Sequence, residues 1–222
     1  MKHLVKINSI HKITHDVLQI RTEKPQGFEY TPGQATEVFI QKPGWEEEGR
    51  PFTFTGLTTD TCLEFNTKTY PERKGVTNEL LSLRAGDQLV LNDIFGDIAY
   101  KGEGVFIAGG AGITPFIAIL RDLYSKDKLG NNKLVFANKT RVDIIHEDEF
   151  RRMLGSNFIN ILSDENAEGY EHGYISEDFL RKYVKDFDLW FYLCGPPPMM
   201  EAVRTLLLSL GVQKEKLIEE GF

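Results

Sequence analysis

The chain has 222 residues, which suits one large domain or two domains of about 100 residues each. It carries 26 Lys and Arg against 33 Asp and Glu, and the net charge of -7 argues against a nucleic-acid surface, which needs clustered cations. Two cysteines, Cys62 and Cys194, are too few for a disulfide framework or for an iron–sulfur cluster held by four thiolates. No apolar run approaches the roughly 20 residues of a membrane span, and the first residues lack a signal peptide's apolar block, so we expect a cytoplasmic protein.

The first hundred or so residues contain short strand-like runs separated by turns rich in Gly and Pro. This pattern is typical of an antiparallel sandwich or barrel. One helix, over residues 77–83, interrupts the strands because three leucines gather there after Gly75. The predicted strands are residues 4–10, 17–22, 36–40, 52–57, 62–70 and 88–92.

The pattern changes near Lys101, where uniformly apolar runs begin to alternate with helical stretches. Such runs are typical of parallel strands buried on both faces, and the alternation predicts a doubly wound α/β domain. We therefore predict a β-barrel domain over residues 1–101 followed by an α/β domain over residues 102–222. The predicted strands of the second part are residues 105–108, 134–137, 158–162 and 190–193, and its helices are residues 115–124, 147–154, 177–184 and 198–210.

A glycine-rich turn follows the first of these parallel strands, over residues 109–115. A turn of this kind between a strand and a helix brings backbone N–H groups and the helix dipole to a pyrophosphate. Pro115 stands where the dehydrogenase fingerprint has its third glycine, which argues against an ordinary Rossmann dehydrogenase. The last parallel strand ends in Cys194, followed by a glycine and three prolines, and a rigid turn there lies at the ligand-binding edge of an α/β sheet.

The barrel half offers two further ligand features. Arg50 and Phe52 are two residues apart on a predicted strand, so they share one face, where they could serve a flat anionic ligand. Thr53 points the other way on a regular strand. Gly75 and Thr77 begin the predicted helix and form a second anion site by backbone geometry. Together with the glycine-rich turn, these features indicate two nucleotide-type ligands that meet between the halves.

Five motifs occur in the order found in the ferredoxin–NADP reductase family, and together they span nearly the whole chain. The sequence therefore resembles that family. The motifs are Pro32-Gly33-Gln34, Arg50-Pro51-Phe52-Thr53, Gly75-Val76-Thr77, the glycine-rich turn at 109–115, and residues 194–200.

For the flavin, the resemblance implies FAD bound in the barrel half. Arg50, beside Pro51, would contact the pyrophosphate, Phe52 would pack against the isoalloxazine, and Thr53 would bond near flavin N5. The family more often has Tyr and Ser in the last two places, so stacking is kept while the tyrosine hydroxyl is lost. The pyrophosphate would be cradled by Gly75, Val76 and Thr77.

For the nicotinamide nucleotide, the resemblance implies binding at Gly110, Gly112 and Thr114. Cys194, with Gly195 and Pro196, would lie close to the nicotinamide ring. In many relatives a terminal aromatic covers the flavin and a carboxylate lies two residues before it, and Phe222 and Glu220 fit these places by count. The catalytic residues implied are Thr53, Cys194 and Glu220.

The family resemblance implies hydride transfer from NAD(P)H to flavin N5 and then electron release to an acceptor such as ferredoxin or flavodoxin. Two alternatives stay open: a reductase that uses free flavin as a substrate, and a non-catalytic electron-transfer subunit of a larger complex. FMN could replace FAD, although a pyrophosphate site at Gly75 argues for FAD. We expect a monomer.

The choice between NADP and NAD depends on the residues after the second parallel strand. Lys139 and Arg141 stand where a 2′-phosphate would lie, which favours NADP over NAD by a small margin. The histidines make no case for a metal, because His11 and His15 lie in a connection between two predicted strands.

Overall fold

The computed structural model describes residues 2–221, and its first part is a six-stranded antiparallel barrel. The strands lie in the order β4-β3-β6-β1-β2-β5. A bridge between Phe54, just after β4, and Phe65 of β5 joins the two edge strands, which nearly closes the sheet. The strands are β1 His3–Lys12, β2 Val17–Glu23, β3 Ala35–Ile40, β4 Arg50–Thr53, β5 Cys62–Lys68 and β6 Gln88–Phe95.

Buried and exposed residues alternate along these strands, and the buried side chains fill the barrel interior. On β1, for example, Val5 and Ile7 are buried while Lys6 is exposed, as expected for a strand with one face on a core. The core also contains Phe54 and Phe65, whose ring centroids lie 5.2 Å apart. A short helix, α1 Val76–Glu79, caps this core through the buried Val76.

The second part is a six-stranded parallel sheet with helices on both faces. The strand order is β10-β9-β8-β7-β11-β12, so the first strand of this part lies beside the fifth. The strands are β7 Gly104–Gly109, β8 Lys133–Asn138, β9 Phe158–Leu162, β10 Glu171–His172, β11 Trp190–Gly195 and β12 Leu217–Gly221. The helices are α2 Thr114–Ser125, α3 Glu147–Leu154, α4 Glu177–Tyr183 and α5 Pro197–Ser209.

Each face of the parallel sheet covers its own apolar core. One core gathers Phe106, Phe116 and Tyr192 with α2 and α3, and the other gathers Val105, Phe191 and Leu207 with α4 and α5. Because β7 and β11 are buried on both faces, all six residues of β7 are buried, which accounts for their uniformly apolar sequence.

The fold class predicted from the sequence is confirmed, and the bounds of several elements differ from those predicted, two of them in kind. The helix predicted over 77–83 is α1 followed by a 3₁₀ turn, Leu80–Ser82. The strand predicted over 52–57 begins at Arg50 and ends at Thr53, because the chain then leaves β3 and turns, with the Leu57 N–H donating to Asp60. Two strands, β10 and β12, were not predicted.

A short connection joins the two parts and is fixed at both ends. The Tyr192 hydroxyl accepts hydrogen bonds from the N–H groups of Lys101 and Gly102 and donates to the carbonyl oxygen of Gly102, at 2.7–3.0 Å. At the other end, Gly33 has a φ of +101°, and a Cβ there would lie 2.3 Å from the carbonyl oxygen of Ile98. Glycine is therefore required at Gly33 for both the backbone angle and the close approach.

Within the described residues, none of the helices combines the length and the apolar character needed to cross a bilayer.

Candidate active site

A cleft of about 970 Å³ lies between the barrel and the parallel sheet. Its volume is at the upper end of the usual range of ligand pockets, roughly 300–1,000 Å³. The barrel half contributes His15, Asp16, β4, residues 66–73 and Thr77, and the other half contributes residues 109–112, Thr114, Lys139, Asp143 and residues 195–197. The structure thus brings residues from all the predicted ligand motifs except Pro32-Gly33-Gln34 to one cavity.

The glycine-rich turn forms the wall of the cleft at the carboxyl end of β7. It folds as a 3₁₀ turn, Gly110–Ile113, which leads directly into α2 with Pro115 in the first helical turn. A Cβ on Gly112 would lie 2.3 Å from the backbone oxygen of Cys194, so the turn packs directly on the end of β11. The predicted proximity of the two motifs therefore follows from the pairing of β7 with β11.

A hydrogen bond crosses the cleft between the two halves. Thr114 Oγ1 lies 3.3 Å from Thr53 Oγ1, and both residues are buried. The Thr53 side chain therefore faces the nucleotide half, on the opposite side of β4 from Phe52, which packs into the barrel core. This is the alternation expected of a regular strand, and it gives Thr53 a side-chain route to the cleft.

The remaining residues of β4 have different environments. The Arg50 side chain is 49% exposed, and its guanidinium donates to the carbonyl oxygen of Gly49 at 2.6 Å and lies 3.9 Å from Glu48. Phe52 is only 3% exposed, because it packs into the barrel core near Phe65 while also lining the cleft. The Arg50 guanidinium is thus available to an anion, whereas Phe52 offers a ligand only part of its ring.

At α1, the side chain and the backbone serve different purposes. Val76 is buried in the barrel core, so it can meet a ligand only through its backbone, whereas Thr77 lines the cleft. A Cβ on Gly75 would meet no described atom within 4 Å, so space lies open at the start of this helix. The first N–H groups of a helix lack acceptors within the helix, and here they border the cleft.

Cys194 and Glu220 are neighbours across the parallel pairing of β11 with β12. Burial, together with the charge of Glu220, raises the pKa of the Cys194 thiol, which therefore stays protonated at neutral pH. Burial also raises the pKa of Glu220, and the nearby Asp97 adds to this effect. The Cys194 side chain is fully buried, and the residues after it form the surface of the cleft. Phe222 lies outside the described residues.

Lys139 and Arg141, the two candidate 2′-phosphate ligands, differ in their availability. Lys139 lines the cleft. Arg141 donates from both its backbone N–H and its Nε to the carboxylate of Glu165, at 2.8 and 2.6 Å. An incoming phosphate would therefore have to compete with Glu165 for Arg141.

Sequence reasoning missed the wall formed by residues 66–73, which follows directly from β5. Lys68 there pairs with Asp16 at 2.7 Å, and the Arg73 guanidinium lies 4.9 Å from the ring centre of Tyr70. His15 lies 3.7 Å from both Asp16 and Asp143 at the same rim. The polar and basic end of an otherwise buried strand was the available signal for this wall.

Comparison with known proteins agrees with this geometry. Residues 106–205 match the family model of the oxidoreductase NAD-binding domain. NADH-cytochrome b5 reductase 2 of Mycosarcoma maydis is 30% identical over 95% of this chain and 70% of its own length.

Two further similarities extend over the whole chain. The reductase component of propane 2-monooxygenase from Rhodococcus jostii is 30% identical over 98% of this chain, which spans 62% of the relative's length. The FAD/NAD-binding domain of the Vibrio cholerae nitric oxide dioxygenase has the same fold, with a TM-score of 0.87, 22% identity, and coverage of 99% of this chain and 98% of that one.

Proposed function

Since the chain belongs to the ferredoxin–NADP reductase family of oxidoreductases, we propose that it is an FAD-dependent NAD(P)H oxidoreductase. The observation that carries the proposal is the single cleft to which the barrel contributes Arg50 and Thr53 and the parallel sheet contributes the glycine-rich turn. A bound flavin supplies the redox chemistry, since it accepts a hydride from NAD(P)H and passes the electrons on.

The residues of the barrel half fit an FAD. Its pyrophosphate is anionic, and Arg50 and Arg73 are cations on the wall of the cleft. The open space at Gly75 and the backbone N–H groups that begin α1 suit the same group. Phe52 would pack against the isoalloxazine, and the Thr53 hydroxyl would bond near N5.

The residues of the other half would hold the nicotinamide nucleotide. Gly110, Gly112 and Thr114 would bind it through the turn and the start of α2, and Gly195 and Pro196 would close the opposite side. These two walls are rigid because backbone packs on backbone between them, so they can fix the position of the nicotinamide ring near the flavin. Cys194 supports this wall through its backbone, which packs against Gly112.

Glu220 would hold a proton at its carboxyl group. Its raised pKa keeps the proton on the carboxyl at higher pH than in an ordinary glutamate, which suits the role of a proton donor. Its neighbour Cys194 stays a neutral thiol, which keeps a second negative charge out of this part of the site.

The direct test of the proposed function is spectroscopic. We expect the purified protein to be yellow, to retain FAD on gel filtration, and to bleach when NADPH or NADH is added without oxygen. A colourless protein that cannot be reconstituted with flavin would contradict the proposal.

We propose a small electron-carrier protein of the ferredoxin or flavodoxin type as the acceptor, and a monomeric cytoplasmic enzyme. The reduced protein can be offered ferredoxin, flavodoxin, free flavin and oxygen in turn, and the fastest reoxidation identifies the class of acceptor. If free flavin reoxidises the protein fastest, the result would favour the alternative in which flavin is a substrate that leaves the protein.

Replacing Lys139 with alanine is expected to lower kcat/KM for NADPH by about tenfold and to leave that for NADH within twofold, because only NADPH carries the 2′-phosphate. Arg141→Ala should have the smaller effect, since Glu165 already engages that guanidinium. Steady-state kinetics of the two variants with both coenzymes measure this. Equal losses with NADPH and NADH would show that Lys139 does not read the 2′-phosphate.

A further inference from the structure

A group of ionisable side chains beside the cleft joins the barrel to the parallel sheet. We call it the interdomain clasp, and it consists of Arg21, Glu64, Arg121, Glu149 and His146. Its centre is Arg121 on α2, which reaches both halves at once. In the barrel half, Arg121 Nη1 donates to the carbonyl oxygen of Thr55 at 2.8 Å and to Glu64 at 2.6 Å.

The other side of the same guanidinium is held within the parallel-sheet half. Arg121 Nε and Nη2 donate to the two carboxylate oxygens of Glu149 on α3, at 2.6 and 2.8 Å. Glu64 is bonded from its far side by Arg21 of β2, at 2.9–3.0 Å. One planar guanidinium thus binds two carboxylates and a carbonyl oxygen, an arrangement that a lysine cannot reproduce.

The central groups of the clasp are largely withdrawn from solvent, whereas Arg21 at its edge is half exposed. The side chain of Glu64 is 5% exposed and that of Arg121 is 17% exposed. Burial tends to raise the pKa of Glu64, but the two arginines outweigh it and hold that pKa below its usual value. Breaking such a buried network leaves charges without partners, so the two halves are held in one relative position rather than several.

A second contact between the halves involves His146, the residue before α3. Its Nε2 lies 2.9 Å from the amide nitrogen of Asn66, which follows Glu64 on β5, and its Nδ1 lies 3.5 Å from Glu149. With the Asn66 amide nitrogen as the donor, Nε2 accepts and the ring is neutral. Asn66 also lines the cleft, so this end of the clasp borders the ligand site.

We propose that Arg121 is a positioning residue, which sets the approach of the nicotinamide wall to the flavin wall, and that protonation of His146 loosens this clasp. The inference rests on the proposed function. Hydride transfer needs the reacting atoms within roughly 3–3.5 Å of each other, and a displacement of about 1 Å can cost about 100-fold in rate. The walls that carry Thr53 and Thr114 belong to different halves, so their separation depends on how the halves are joined.

The effect of acid follows from the groups that face His146. Burial lowers the pKa of His146 below its ordinary value of 6.5, and the Arg121 charge on α2 lowers it further. Arg21 acts in the same direction, whereas Glu149 of α3 and Glu64 of β5 oppose it. Arg121 and Glu149 belong to the same half as His146, so separation of the halves changes chiefly its burial, which is the largest cause of the lowered pKa. The joined arrangement therefore binds a proton at His146 less tightly than a separated one does. The stabilisation is complete above pH 6.5 and is lost as the pH falls below it.

The test compares Arg121→Met and Arg121→Lys with Arg151→Met, a matched control whose guanidinium is 46% exposed and pairs with Glu147 one turn away on α3. Hydrogen–deuterium exchange of the full-length protein reports the clasp without using activity. Both Arg121 variants should speed amide exchange at residues 53–56 and 64–66 and at residues 145–150, and should leave the rest of both sheets unchanged. The Arg151 variant should leave the barrel set, residues 53–56 and 64–66, unchanged, because its partner Glu147 lies in the other half.

The kinetic arm uses the same proteins. We expect Arg121→Met to lower kcat by about 10- to 100-fold at unchanged FAD content, and Arg121→Lys to lower it less. The wild-type rate should fall below pH 6.5, and His146→Gln should flatten that fall, whereas His11→Gln, an exposed residue of β1 outside the cleft lining, should not. Unchanged kcat and exchange in both Arg121 variants, or faster exchange throughout one half, would overturn the inference.

The two proposals fail in different ways. A wild-type protein that holds no flavin contradicts the proposed oxidoreductase and, with it, the kinetic role of Arg121. A flavin-loaded protein whose Arg121 variants behave like the Arg151 control contradicts the clasp alone.

Discussion

Replacing Gly112 with alanine is expected to reduce kcat/KM for NAD(P)H by at least about 100-fold while FAD stays bound. The added Cβ would lie 2.3 Å from the Cys194 oxygen and 2.7 Å from the Gly195 Cα. Both are backbone atoms of a central strand end, so neither can rotate away. The glycine-rich turn must then move off β11, and it takes with it the start of α2 that carries Thr114. A shift of about 1 Å at this point is enough for such a loss.

Anaerobic stopped-flow reduction measures this loss, and flavin absorbance per protein gives the FAD content. Gly75→Ala is the contrasting variant, because the same added carbon meets no described atom within 4 Å and lies in the other half, in the space assigned to the FAD pyrophosphate. It should weaken FAD binding, and at saturating FAD its affinity for NAD(P)H should equal that of the wild type. A Gly112→Ala protein with wild-type kinetics would show that the nucleotide does not use this turn.

Replacing Arg50 with alanine is expected to raise the FAD dissociation constant by about 10- to 100-fold. A hydrogen bond to a charged group contributes roughly 1.5–3 kcal/mol, and each 1.4 kcal/mol is a factor of ten. Arg50 carries no essential packing, since its side chain is half exposed and its nearest carboxylate is 3.9 Å away. The loss should therefore appear in ligand binding and leave the melting temperature of the flavin-free protein unchanged.

Fluorescence titration of the flavin-free protein with FAD measures the dissociation constant. Arg181→Ala removes an equally exposed guanidinium from α4, where it pairs with Glu177, and should leave FAD binding unchanged. High salt should also reduce the difference in FAD dissociation constant between wild type and Arg50→Ala, because salt screens the contact between Arg50 and the anionic pyrophosphate. Equal dissociation constants for Arg50→Ala and Arg181→Ala would remove Arg50 from the FAD site.

Much of the architecture could be predicted because it depends on local patterns. The strand β9 and the helix α3 have the bounds expected from the sequence, since a run of five apolar residues and an amphipathic stretch are unambiguous. The convergence of the glycine-rich turn and the turn after Cys194 also follows from general rules for parallel sheets. These features need no knowledge of distant contacts.

The strand β12 illustrates what could not be predicted. Its sequence, LIEEG, has neither the alternation nor the apolar run of a strand, and it is held in place by pairing with β11. Its position beside Cys194 is what buries Glu220.

The interdomain clasp could not be predicted from the sequence for a related reason. Arg21, Glu64, Arg121 and Glu149 are ordinary charged residues that lie far apart along the chain, and only the packing of the two halves joins them. In the sequence each is indistinguishable from a solvated surface residue. The same holds for Asn66, a polar residue on a buried strand whose partner is 80 positions away.

The connection between the two halves has a consequence for the thermodynamics of catalysis. Ile98 packs against Gly33 at one end of it, and the Tyr192 hydroxyl accepts hydrogen bonds from Lys101 and Gly102 at the other. The connection is therefore held in one conformation. A flexible tether would have to lose conformational entropy each time the two ligand sites came together. Here that entropy is given up once, when the chain folds, and the two sites are preorganised before either ligand binds.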